Sequence, residues 1–421
     1  MSKSRKHEAA QATNVIQFNL AGLIIFSLAL IIGASLITFK LAPKSARPLV
    51  ESLAVDPKDK SRSAHAGPWG TLINRDIELE RPVEFLNAEV SSTQPETWWF
   101  KGQKPAEVRS LLLQDGLTTA QADAVLASGN YTEYQSGTQI RPPADFLLSL
   151  APAARSKLYT VLQGLGVNVY LDYPYIFPGD LLASIYASPQ INIDDLALLK
   201  QLVYYNANIA QMSDYELLLQ KIPTIERRVA MAKALSRQHA VFAALAVNAD
   251  TDIDKIAAYW GNIPNVRFVD IRPLLEALKA LPEGGNLSLF YLLPKFARDR
   301  LYTYPLPPHP GDPILDCHWT TFNFSNETPD NRFNDPTYAV QYISQNYYQI
   351  SAPSMYGDVL LLMNDKNEIK HSAMFLADDL VFTKNGNNYR QPWMLMHIPD
   401  LLATYPANPP MHAVYIRNKI D

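Results

Sequence analysis

One cysteine in 421 residues rules out any internal disulfide, so no covalent framework ties this fold together. That cysteine, Cys317, is either a small buried residue or a chemical one. Disulfides also leave the redox compartment unread. A long basic tract is absent and the formal net charge is −4, which excludes an electrostatic nucleic-acid surface. The chain has no phosphate-binding glycine loop, no paired-histidine zinc helix and no Gly-x-Ser-x-Gly elbow. His371, His397 and His412 lack ligand-like spacing and there is a single thiolate, so neither a metal site nor a cofactor site is predicted. The length predicts two or three domains.

Charge is also missing from Ala9 to Phe39. The densest part, Leu20 to Phe39, is about as long as a bilayer-spanning helix requires, ~20 residues. It is too long for a signal-peptide core, and Ile37-Thr38-Phe39-Lys40 offers no small-residue cleavage site. The expectation is a transmembrane anchor at 15–39, a cytoplasmic tail at 1–14 and a single-pass protein whose bulk is extracytoplasmic.

Residues 40–99 are rich in proline and mixed charge, without sustained periodicity, and predict a stalk. Short strands are possible around Thr71 to Phe85. Residues 100–305 predict a mainly helical region, with helical spacing in Lys104 to Leu126, Ile193 to Tyr205, Ser213 to Val247 and Ile253 to Trp260. Ala154 to Thr160 echoes Ala297 to Thr303, which raises a duplicated unit or two chance amphipathic helices.

The pattern changes at residue 306. Leu315, Trp319 and Phe322 fall at helical spacing, with Asp316 as cap and Cys317 in the first turn, where a helix dipole favours a thiolate. A helix is predicted from Thr337 to Ile350. Strands follow at Asp358 to Met363, His371 to Ala377, Leu380 to Thr383 and His412 to Ile416, with Asp378-Asp379 as a tight turn and Asn385-Gly386 closing the third. Helices followed by an antiparallel meander give an α+β class for 306–421.

Three motifs here resemble the NlpC-type papain-like cysteine peptidases of bacterial cell walls. Asp316-Cys317-His318-Trp319 is similar to that family's Asp-Cys-Ser-Gly helix start. Tyr356-Gly357-Asp358-Val359-Leu360 is similar to its Pro-Gly-Asp-Leu segment. His371-Ser372-Ala373-Met374-Phe375-Leu376 is similar to its His-Val-Gly-Ile-Tyr-Leu strand. The resemblance covers the last quarter of the chain. It implies Cys317 as nucleophile, His371 as base and a third polar residue on the next strand. Thr383 stands there, with Asn385 two residues on and on the same face if the strand continues.

The expectation is therefore a thiol hydrolase of amide bonds, with peptidoglycan stem peptides as default substrate and the membrane as partner through the N-terminal helix. The competing expectation is a catalytically inactive papain-like unit serving as an interaction scaffold. A transglutaminase-type acyl transferase shares the Cys-then-His order, but Asp378 and Asp379 fall in the turn.

Overall fold

A computed structural model describes residues 62–419, apart from 92–93, 169–170, 172–173, 178, 207–208, 264–267, 307–308, 310–311, 314 and 406–408. The chain begins with an antiparallel hairpin, β1 (Arg62–Gly67) and β2 (Gly70–Leu79), followed by α1 (Val83–Ser91) and β3 (Trp98–Lys101). Two helices, α2 (Pro105–Gln114) and α3 (Thr119–Val125), precede β4 (Tyr131–Tyr134) and β5 (Gly137–Ile140). Then come α4 (Ala144–Ser149), α5 (Pro152–Gly164), β6 (Tyr175–Phe177), α6 (Leu181–Tyr186) and α7 (Ile193–Leu202). β7 (Tyr204–Asn206), β8 (Ile209–Met212), α8 (Tyr215–Lys221) and α9 (Ile225–Leu235) lead into the long strand β9 (Gln238–Val247).

After β9 the chain forms α10 (Ile253–Trp260), α11 (Phe268–Lys279), β10 (Gly285–Ser288) and a short α12 (Lys295–Arg298). The last part comprises α13 (Cys317–Phe322), α14 (Pro336–Asn346), β11 (Tyr347–Ile350), β12 (Val359–Met363), β13 (Ile369–Ala377), β14 (Leu380–Lys384), β15 (Trp393–His397), α15 (Ile398–Thr404) and β16 (His412–Asn418).

Among the described residues the strands make four antiparallel sheets, ordered β1-β2-β9-β10, β11-β16-β12-β13-β14-β15, β3-β5-β4 and β6-β8-β7. Tyr159, Trp98, Leu199 and Leu218 sit in one apolar core between 86 and 235. A second core joins β9 and α10 to α13 and one face of the six-stranded sheet, through Leu245, Trp260, Trp319 and Phe382. A third, smaller core lies on that sheet's other face, where Ala240 of β9 meets Leu362, Val381 and Met396.

The fold class is corrected in two respects. No helix among the described residues is long and apolar enough to cross a membrane, and the segment expected to do so, 15–39, lies outside the described residues. Residues 100–305 are not mainly helical but mixed, and contribute strands to three of the sheets. β9 was hidden because Gln238 to Val247 is a continuous Ala- and Val-rich run, buried on both faces in mid-sheet, so it shows no period of two. The three-residue strands β6 and β7 are too short to show any period.

Part of the range read as a stalk is also structured: β2 pairs with β9 from Thr71 to Leu79, and α1 packs on α9. The two echoing segments take different backbones. Ala154 to Thr160 is continuous helix, whereas the second copy leaves the helix after Arg298 and reaches Tyr302 at φ 60°.

One glycine positions the C-terminal sheet. Gly357 has φ +101°, and a Cβ there would lie 2.6 Å from Ile263 Cγ2, so only glycine fits the turn into β12. The next residue, Asp358, is buried. Its carboxylate accepts the backbone N–H groups of Ser354 (2.8 Å) and Met355 (3.0 Å) and two guanidinium bonds from Arg417 on β16 (2.7 and 2.8 Å). This ties the start of β12 to the outer part of the sheet.

Candidate active site around Cys317

The expected helix start is present. Asp316 is extended, and its Oδ1 accepts the Trp319 N–H at 2.7 Å, so the side chain satisfies a donor that a helix start leaves open. Cys317 is the first residue of α13 and is 5% exposed. Its Sγ accepts backbone N–H groups of Ser372 and His318. The helix dipole was expected to lower this thiol's pKa. Instead burial pushes it up to about 12, helped by the adjacent Asp316 carboxylate, and the two N–H bonds only offset part of that rise.

His371, Thr383 and Asn385 come together as a directed chain. The Thr383 hydroxyl donates to Asn385 Oδ1 at 3.3 Å, so its oxygen must accept from His371 Nε2–H at 3.0 Å. Asn385 Nδ2 in turn donates to Met396 Sδ at 3.3 Å. The two alternatives for the third residue thus act in series rather than in competition. The chain fixes His371 as the Nε2–H tautomer and leaves the lone pair on Nδ1. That atom is buried and has no hydrogen-bond partner among the described residues. Burial holds the imidazole well below its ordinary pKa, reinforced by the nearby His318 and Lys384 charges, so His371 is neutral. The ring of Tyr405 stacks on it with centroids 4.5 Å apart.

The strand alternation adds a detail that spacing could not give. Met374, Leu376 and Phe382 belong to the core that contains Trp319 of α13, so Ser372 and Lys384 share that face. Leu362, Ala373 and Val381 belong to the opposite core, and His371 and Thr383 alternate with them. The helix bearing Cys317 therefore packs on one face of β13–β14, while the His371 side chain sits on the other. Pairing between β13 and β14 ends at Met374–Phe382, and the thiol meets the Ser372 N–H beyond that point.

Three residues escaped the sequence reading. Ser372 donates to the Cys317 carbonyl (3.3 Å), so His318 must donate its Nδ1–H to Ser372 Oγ (2.9 Å). His318 thereby clips the start of α13 to β13, and burial lowers its pKa. Lys384 is fully buried, and desolvation pulls it down to about 8. Tyr405 is the third, through its stacking on His371. A lysine at a strand end and a tyrosine after a helix both read as solvated surface, so neither gave a signal. No group of residues that could hold a metal ion is found among the described residues.

A cleft of about 730 Å3 opens beside the site, with Leu315 and Lys384 in its wall. A second, of about 460 Å3, lies between β9, Tyr175 and the β14–β15 loop. No protein-family model, no curated protein and no solved structure matches the chain.

Proposed function

We propose that Cys317 is the nucleophile of a thiol hydrolase acting on amide or peptide bonds, with His371 as base and Thr383 and Asn385 fixing its tautomer. The observation that carries this reading is the His371 Nδ1 lone pair, buried, neutral and without a partner among the described residues, one residue from the Ser372 N–H that the thiol accepts. In this reading Sγ attacks the carbonyl carbon and its proton passes to His371 Nδ1. The oxyanion forms near the Cys317 N–H at the helix start, where backbone donors point outward. His371 returns the proton to the leaving amine, and water releases the acyl group as a carboxylic acid. In the free protein no hydrogen bond joins the thiol to the imidazole among the described residues; the thiol lies where the β13–β14 pairing has ended, and catalytic hydrogen bonds commonly form only with substrate bound. The family resemblance makes peptidoglycan stem peptides the first substrates to try, which puts the reaction on the cell-wall side of the membrane.

A second reading has its own support. A thiol raised to about 12 and not hydrogen-bonded to His371 suits a structural cysteine in an interaction scaffold. The two separate in a p-nitrophenyl acetate experiment with intact-mass detection. The hydrolase reading expects a burst of nitrophenolate and an acetyl adduct on Cys317, absent in Cys317→Ala and slowed in His371→Gln. No adduct on Cys317, or equal labelling in Cys317→Ala, would leave the scaffold.

A further inference from the structure

Lys384 is a cation inside the protein without an anion on it. Its side chain is fully buried, and Nζ donates to the carbonyls of Gly386 (3.0 Å) and Asn388 (2.9 Å). An ammonium carries three N–H bonds, so one is unspent. It forms no ion pair among the described residues; the acidic groups that act on it are Cys317 and Asp316. A buried charge lacking a counter-ion is costly unless something completes it.

A second cation faces the same space. Arg300 is half-buried, and its guanidinium lies over Phe296 (4.0 Å), Trp319 (5.4 Å) and Trp393 (5.7 Å). It gives one bond to the Phe296 carbonyl (3.1 Å) and has no ion-pair partner among the described residues. Three rings thus hold it in place with donors to spare. Both cations line the cleft of about 730 Å3, together with Tyr304, Leu315, Tyr389 and Trp393. The Tyr304 hydroxyl is buried and has no hydrogen-bond partner among the described residues. Of the carboxylates in the wall, Asp299 pairs with Lys295, and Asp312 accepts the His309 backbone N–H at 2.6 Å.

We infer that this cleft recognises a carboxylate-bearing ligand with an apolar or aromatic body, the carboxylate meeting Lys384 Nζ and Arg300. A singly charged group suits the site better than a phosphate, because the walls are mostly ring and aliphatic surface that would desolvate a dianion at greater cost. Leu315 and Lys384 set the cleft beside Cys317, so the ligand is an acyl substrate that carries a free carboxylate. That last step rests on the hydrolase reading; the carboxylate site itself does not.

The test uses the full chain as Cys317→Ala, with phenylacetate and phenylacetamide compared by calorimetry. Phenylacetate is expected to bind at pH 7, and the amide at least about tenfold more weakly. Affinity for phenylacetate should fall by about tenfold per pH unit above about 8, as the free Lys384 loses its proton. Lys384→Met and Arg300→Gln should each weaken it at least about tenfold. The pH series needs no altered cation, so it stands even if Lys384→Met does not fold. No binding, equal binding of acid and amide, or affinity that is flat from pH 7 to 9.5 would each overturn the site. In the wild-type chain phenylacetate should protect Cys317 from iodoacetamide. Binding without protection would overturn the acyl-substrate role alone, leaving the hydrolase reading to the acetylation burst.

Discussion

His371 Nε2 and Thr383 Oγ1 lie 3.0 Å apart across two neighbouring strands, and the bond between them runs in one direction only. Thr383 has already given its hydrogen to Asn385, so the imidazole must donate. Removing the hydroxyl while keeping the shape, as in Thr383→Val, strands a buried Nε2–H and the Asn385 carbonyl at once. Each buried unsatisfied group costs about 1–3 kcal/mol, so a loss of about 2–6 kcal/mol is expected in urea denaturation. Thr383→Ser should recover most of it. A neutral Thr383→Val would show that the hydroxyl is not holding the histidine.

The Asp316 carboxylate has two opposed effects on its neighbour. It caps α13, and it raises the Cys317 pKa on top of the larger effect of burial. Asp316→Asn keeps an oxygen for the Trp319 N–H, and asparagine caps about as well as aspartate. Iodoacetamide labelling of wild-type Cys317 should be slow at pH 7 and climb with pH past 9, because the thiolate is the reactive form. In the variant the same curve should shift toward lower pH with little change in stability. An unmoved curve would mean that the carboxylate does not act on the thiol.

Acid should weaken the fold through its buried histidines. The folded pKa of His371 is well below the unfolded value of about 6.5, so its neutral form contributes stability that is complete above pH 6.5. That contribution is lost as pH falls below 6.5, by about 1.4 kcal/mol at pH 5.5 for one such residue. His318 is lowered too and adds in the same direction. His397 opposes them: its bond to Asp379 (2.7 Å) raises its pKa, so its contribution is present at low pH and fades as pH rises through the folded value. Urea midpoints at pH 7.5 and 5.5 should therefore fall less in His371→Gln than in the wild type. Equal falls would mean that His371 is already charged in the folded chain.

The parts of this site that sequence revealed are those written in local chemistry. Asp316 before an apolar helical stretch announces a cap, and the structure puts it there. Apolar runs broken by Asp378-Asp379 and Asn385-Gly386 mark β13 and β14. The two-residue step from Thr383 to Asn385 gave a shared face, and both join the His371 chain. The face of a sheet on which a distant helix lands is a tertiary fact, so the packing of α13 on the Ser372 face was not legible. β15 was missed for a related reason: Trp393 to His397 is buried at four of five positions and shows no alternation. The membrane expectation rested on residues 15–39, outside the part of the chain whose structure is described.

The loop between β14 and β15 leaves the site through Asn385 and carries Arg390 to α1 and β6. There Arg390 meets Glu89 of α1 (3.1 Å) and the Tyr175 hydroxyl (3.1 Å). Tyr302, just ahead of the C-terminal unit, bonds the Val241 carbonyl of β9, and Ala240 fills part of the core behind His371. The catalytic-looking quarter is therefore not a portable module. Cut free at residue 306, it would lose the wall behind its histidine and the tether of its loop, so grafting or recombination at that seam would separate the motifs from the parts that hold them in register.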